Sequence, residues 1–165
     1  MTLAESLLPE FDQEMSATRK LLERVPESKA DWKPHEKSRS LGELATHVAN
    51  IPAMMRVVIK QDELMSPDAS LRPPKFTTTA ALVEFFDKNV KIAREALTGV
   101  PDSRMALPWT LKFGDRTIFT RPRSAVVRSF VISHHIHHRG QLGVYLRLQD
   151  VALPSAYGPT ADELF

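Results

Sequence analysis

The chain has 165 residues, 42% of them hydrophobic and 25% charged, the make-up of one ordinary globular domain in which roughly 70% of the unfolded surface can be buried. That composition excludes a disordered tail protein, and no apolar run approaches the ~20 residues needed to cross a bilayer. There is no cysteine, so disulfides, thiolate nucleophiles and Cys-based metal sites are excluded, and any site must use nitrogen and oxygen donors. The stretch MTLAESLLPEFDQEM brings acids rather than a basic region followed by an apolar one, and the expectation is a cytoplasmic chain with no membrane partner. Twenty-two basic against 20 acidic side chains leave a net charge of only +2. The densest basic stretch, Arg116 to Arg128, has no aromatic-interleaved patch beside it, and no nucleic-acid partner is expected.

In chain order, Leu3, Leu7, Phe11, Met15, Thr18, Leu22 and Val25 recur at helical spacing, which predicts an amphipathic first helix with Leu8 and Leu21 beside its stripe. Asp31 to Arg39 is a polar loop from which Trp32 packs back on the core. A second helix begins at Ser40, where Ser40 and Glu43 form a capping box. It runs to about Glu63 and kinks at Pro52, whose ring removes a backbone bond and crowds the Val48 carbonyl. Its inward stripe is Leu44, His47, Ile51, Met54 and Val58.

Met65 to Lys75, with three prolines, reads as a linker. Thr79 to Leu97 is a third helix, closed by Gly99 and Pro101. Between Met105 and Thr120 the residues alternate about Gly-Asp, which predicts a short β-hairpin. Pro122 opens the fourth helix, extending to about Gln149, with Val127, Phe130, Val131, His134, His138, Gln141, Tyr145 and Leu148 on one face. The tail Val151 to Phe165 is irregular. The expected fold is all-α, one four-helix-bundle domain over residues 1–165 with a short hairpin before the last long helix.

Four of the six histidines lie between His134 and His138. At about 100° per residue, His134 and His138 stand only about 40° apart, one turn above the other, so both imidazoles reach a common point. His137 lies about 60° to the other side of His134 and His135 about 100° away, which makes them rim groups. A third donor must come from another helix, and His47 is the other histidine expected to face inward.

Three neutral imidazoles leave an open coordination position, as catalytic zinc sites do. Gln141, Glu43 and Asn50 are placed to orient the imidazoles, and Tyr145 to offer a hydroxyl near the open position or to be core. On spacing alone, a hydrogen-bonded polar core and a solvent-filled cleft remain open alternatives.

The stretch WKPHEKSRSLGELATHVANIP, from Trp32 to Pro52, and the stretch HHIHHRGQLGVYLR, from His134 to Arg147, resemble the DinB-like (DinB/YfiT-like) metalloenzyme family. That name is unrelated to the translesion polymerase, and nothing here is similar to a polymerase. The resemblance implies a homodimeric four-helix bundle with a metal held by His47, His134 and His138. It also implies chemistry with a low-molecular-weight thiol, as in S-transferases of the family, acting on a small-molecule substrate.

Zinc or nickel suits imidazole donors, and iron or manganese is also compatible. Gln141, Tyr145, Glu43 and His137 are the candidate pocket residues. The competing expectations are a metal-dependent hydrolase, with Glu43, His137 or His135 as base, and a stress-related metal-binding module with no catalysis.

Overall fold

The structure, a computed structural model, describes residues 1–164; Phe165, the last residue of the expected irregular tail, lies outside them. The chain is mostly helical with a small three-stranded sheet. Helix α1 spans Leu3–Leu22. It opens with a capping box in which the Thr2 hydroxyl accepts from the Glu5 amide at 3.2 Å and the Glu5 carboxylate accepts from the Thr2 amide at 2.7 Å. Leu7, Phe11, Met15, Thr18 and Leu22 are buried as the spacing predicts, whereas Leu3 is exposed and Leu21 is buried. The buried face is broader than one stripe because both the third and the last long helix pack against α1.

Helix α2, Leu41–Asn50, starts with the expected box at Ser40, whose amide donates to Glu43 at 2.7 Å. Gly42 permits the close approach that fixes this start. Its amide donates to the Ala30 carbonyl at 2.8 Å, and a Cβ there would meet the Ala30 Cβ and oxygen at 3.1 Å. At Pro52 the helix gives way to a 3₁₀ turn, Ile51–Ala53, before α3, Met54–Lys60. Missing its amide hydrogen, Pro52 cannot continue the α-helical ladder.

Three features differ from expectation. Helical structure ends at Lys60, and Glu63–Ser66 forms a strand, β1, at the start of the expected linker. After α4, Thr79–Leu97, and the left-handed Gly99 (φ 71°), a short helix α5 covers Asp102–Ala106. The expected hairpin is present as β2, Pro108–Phe113, and β3, Arg116–Pro122, turning at Gly114 with φ 55°. It is widened by β1, which pairs parallel to β2 with Glu63 opposite Thr110.

The last helical passage is not uniform. A short α6, Arg123–Val126, runs into a π-helical stretch, Val127–Ser133, and then into α7, His134–Arg147. A π turn holds one more residue than an α turn, so the apolar face moves by one position beyond it. Val127 and Val131 are buried as expected, but the buried set of α7 is His135, Arg139, Leu142 and Leu146. Gln141 and Leu148, expected on that face, are exposed.

One contiguous core draws on α1, α2, α3, α4, the π stretch and α7, with Trp32 packed at its margin as expected. The basic stretch is largely engaged in structure. Arg123 is buried, Arg121 lies over the Phe119 ring and Arg128 pairs with Glu10. Among the described residues, no helix is long and apolar enough to cross a membrane.

Arg123 ties α3 to the sheet. Its guanidinium donates to the carbonyls of Val58 at 3.0 Å, Pro108 at 2.8 Å and Gln61 at 2.8 Å, and pairs with Asp62. Arg123→Ala leaves buried carbonyls without donors and is expected to cost about 3 kcal/mol of stability in urea unfolding. A loss below about 1 kcal/mol would mean that water replaces the guanidinium.

Candidate metal centre

The structure brings His47 of α2 together with His134 and His138 of α7. Ring centroids are 5.3 Å apart for His47 and His134, 4.5 Å for His47 and His138, and 4.7 Å for His134 and His138. One nitrogen from each of the three lies within 4.8 Å of the others, all half-buried, so the group could hold a metal ion. The Pro52 break comes about one turn after His47, and the π stretch ends immediately before His134, so both contributing helices carry an irregularity near the site.

Hydrogen bonding settles two of the three tautomers. His134 Nδ1 faces the Phe130 carbonyl at 3.3 Å, and His138 Nδ1 faces Gln141 Oε1 at 2.7 Å. An oxygen acceptor on Nδ1 places the proton there and leaves the Nε2 lone pair free, the arrangement that metal-binding histidines use. Phe130 also stacks on His134, 5.7 Å between centroids and 25° between planes. Burial is the main cause holding all three imidazoles below their ordinary basicity, His47 down to about 3, with the Arg39 charge contributing at each. Neutral imidazole is the coordinating form, so the donor set fits a divalent metal ion.

The other expected site residues are distributed unevenly. Gln141 meets His138 as expected. Glu43 and Asn50 do not orient His47: the Glu43 carboxylate caps Ser40, and the Asn50 amide donates to the Leu71 carbonyl at 3.0 Å. A hydrogen bond from the Ser40 backbone amide is the main cause holding Glu43 below the usual carboxylate range. Tyr145 packs edge-on against Trp32 at 5.7 Å and does not line the cavity beside His47. His137 is exposed, its ring 4.9 Å from that of His138.

His135 corrects the expectation most sharply, being core rather than rim at 1% exposure. The Thr18 hydroxyl donates to the Glu14 carbonyl at 2.8 Å and lies 2.8 Å from His135 Nε2. With its hydrogen committed, Thr18 must accept, so His135 carries its proton on Nε2. His135 Nδ1 has no partner among the described residues.

A cavity of about 490 Å³ opens onto His47, lined also by Arg39, Glu43, Thr46 and the Pro73–Phe76 segment. Neither Arg39 nor Lys75 stood out in the sequence, since both lie in loops without periodicity.

The DinB superfamily profile matches residues 10–142. The chain belongs to the DinB superfamily. Two solved structures share the fold. A DinB-like protein from Bacillus cereus ATCC 10987 is 23% identical with a TM-score of 0.72, the match covering 93% of this chain and 97% of that one. A DinB-like protein from Bacillus subtilis is 20% identical with a TM-score of 0.67, covering 92% and 96%. None of the curated proteins matches the chain.

Burial holds His135 down to about 3, with the Arg139 charge second, against about 6.5 in an unfolded chain. Between those values the unfolded state binds the extra proton. Stability is therefore full above pH 6.5 and falls as pH drops toward 3. For metal-free protein, His135 alone is expected to remove about 2 kcal/mol between pH 6.5 and 5, read by urea unfolding. A flat profile over that range would show this imidazole to be ordinarily basic.

Proposed function

We propose that this DinB-superfamily chain is a metal-dependent enzyme in which His47, His134 and His138 hold one divalent ion, zinc or nickel, and that it joins the sulfur of a low-molecular-weight thiol, with loss of the thiol proton, to an electrophilic carbon of a small molecule that gives up a leaving group. The observation that carries the reading is three convergent neutral imidazoles from two helices, two of them with Nδ1 committed to oxygen acceptors. Three protein donors leave room for a further ligand. A bound divalent ion supplies Lewis acidity, which favours the thiolate form of a thiol at that open position.

The chain's own residues hold the centre in register. Gln141 and the Phe130 carbonyl keep His134 and His138 in one tautomer, and the stacked Phe130 ring shields one side of His134. The cavity beside His47 admits a small molecule. The nucleophilic sulfur must arrive with the substrate, because the chain has no cysteine.

Hydrolysis is the less supported chemistry. It needs a general base near the centre, whereas Glu43, the carboxylate nearest in sequence to His47 on the cavity wall, is committed to its helix cap and held weakly basic.

Protein purified without a histidine tag is expected to bind one zinc per chain in a chelator competition. His134→Ala should weaken that binding by more than about 100-fold, and Gln141→Leu by about 10- to 100-fold with the circular dichroism unchanged. Equal zinc affinity in wild type and His134→Ala would overturn the ligand assignment. Zinc-loaded protein given 2-mercaptoethanol and 1-chloro-2,4-dinitrobenzene is expected to form the S–C bond with release of chloride, and to lose this activity when stripped of metal. Turnover of ester probes alone would favour hydrolysis, and no turnover with either probe would favour a non-catalytic metal-binding module.

A further inference from the structure

We infer that the cavity beside His47 selects a small molecule bearing a carboxylate, and that Arg39 is the residue that reads it. The inference rests on the reading of the three-histidine cluster as the reaction centre and names the substrate class of that site. Eight arginines of this chain are ion-paired: Arg19, Arg24, Arg94, Arg104, Arg123, Arg128, Arg139 and Arg147. Arg39 lines the cavity wall next to His47 and has no carboxylate partner among the described residues.

Lys75 supplies a second cation on the same cavity, from the Pro73–Phe76 segment, again without an ion-pair partner among the described residues. Two acids share the walls, Asp31 and Glu43. The Glu43 carboxylate accepts from the Ser40 amide at 2.7 Å and feels the Arg39 charge, so the two acids balance the two cations on the walls. A divalent ion at the neutral imidazoles would make the potential there positive. The walls mix Phe76, Pro73, Pro74 and Ala30 with these charges, which suits a short organic carboxylate better than a fully hydrated inorganic anion. A planar guanidinium matches a carboxylate through two parallel hydrogen bonds, a geometry an ammonium lacks.

The test compares two thiols that differ in one charged group. Cobalt(II)-loaded protein is titrated with 3-mercaptopropionate and with 3-mercaptopropan-1-ol, and thiol binding is read from the sulfur-to-cobalt absorption in the near ultraviolet. Wild type is expected to prefer the carboxylate by about tenfold. Arg39→Gln should bring the ratio close to one, Arg39→Lys should restore part of it, and Lys75→Gln should lower it by about threefold. An unchanged ratio in Arg39→Gln overturns the inference while leaving the metal reading intact.

Failure to take up cobalt would instead remove the metal reading, and a second arm still decides the inference. Metal-free ¹⁵N-labelled protein is titrated with glutarate and, separately, with inorganic phosphate. Saturating shifts with glutarate at the amides of Arg39–His47, Lys75 and Phe76, absent in Arg39→Gln, support it. No shift, the same shift in the variant, or equal affinity for phosphate overturns it. Arg39 is exposed and makes no hydrogen bond among those described, so these substitutions leave the fold in place.

Discussion

The orientation of α7 about its own axis is the constraint on which the rest depends, and a buried ion pair sets it. Arg139 and Glu14 are 6% and 7% exposed and meet at 2.7 Å. Arg139 also donates to the Glu14 carbonyl at 3.0 Å and to the Tyr157 hydroxyl at 2.6 Å, and that hydroxyl donates to the Glu14 carboxylate at 2.8 Å. Such a pair adds little net stability over an apolar substitute, because desolvation offsets the attraction. Its effect is on alternatives. Turning α7 by one residue would leave the Glu14 carboxylate buried without its partner, at a cost of about 3–5 kcal/mol.

That lock explains how one helix serves two masters. His135 and Arg139, one turn apart, face α1, while His134 and His138, each one residue earlier, face α2 and His47. About 100° of rotation separates the two sets, so fixing the first aims the second. The π stretch Val127–Ser133 makes both compatible with the apolar residues that precede them. It buries Val127 and Val131 and then advances the face by one residue, which puts His135 in the core and frees His134 for the centre.

Local signals in the chain were enough for the helix starts and for the trio of imidazoles. The Ser40 box, the Pro52 interruption and the limits of α4 each depend on residues within a few positions. The His134–His138 spacing likewise meets His47 without further information. What escaped a reading of the chain depends on distant partners. Glu63–Ser66 becomes a strand only by pairing with Thr110–Phe113, and the π stretch Val127–Ser133 has no residue signal in VRSFVIS that sets it apart from an α-helix. Arg39, Lys75 and Phe76 form one wall only because the loops ending at Ser40 and at Thr78 are folded onto the same face.

The run of four histidines also shows why counting a residue type does not count ligands. His134 and His138 carry their protons on Nδ1 because oxygen acceptors stand there. His135, between them in sequence, carries its proton on Nε2 because the Thr18 hydroxyl has already spent its hydrogen on Glu14. One tautomer presents a free nitrogen toward α2; the other turns the remaining lone pair into the apolar core, where no donor meets it among the described residues. Protonating His135 would bury a charge beside Arg139 with no acceptor for the new N–H, and burial together with that neighbour keeps it neutral. Chemically identical side chains one residue apart are thus assigned opposite roles, one set open to a ligand and one closed within the core, by the hydroxyl, amide and carbonyl groups that happen to face them.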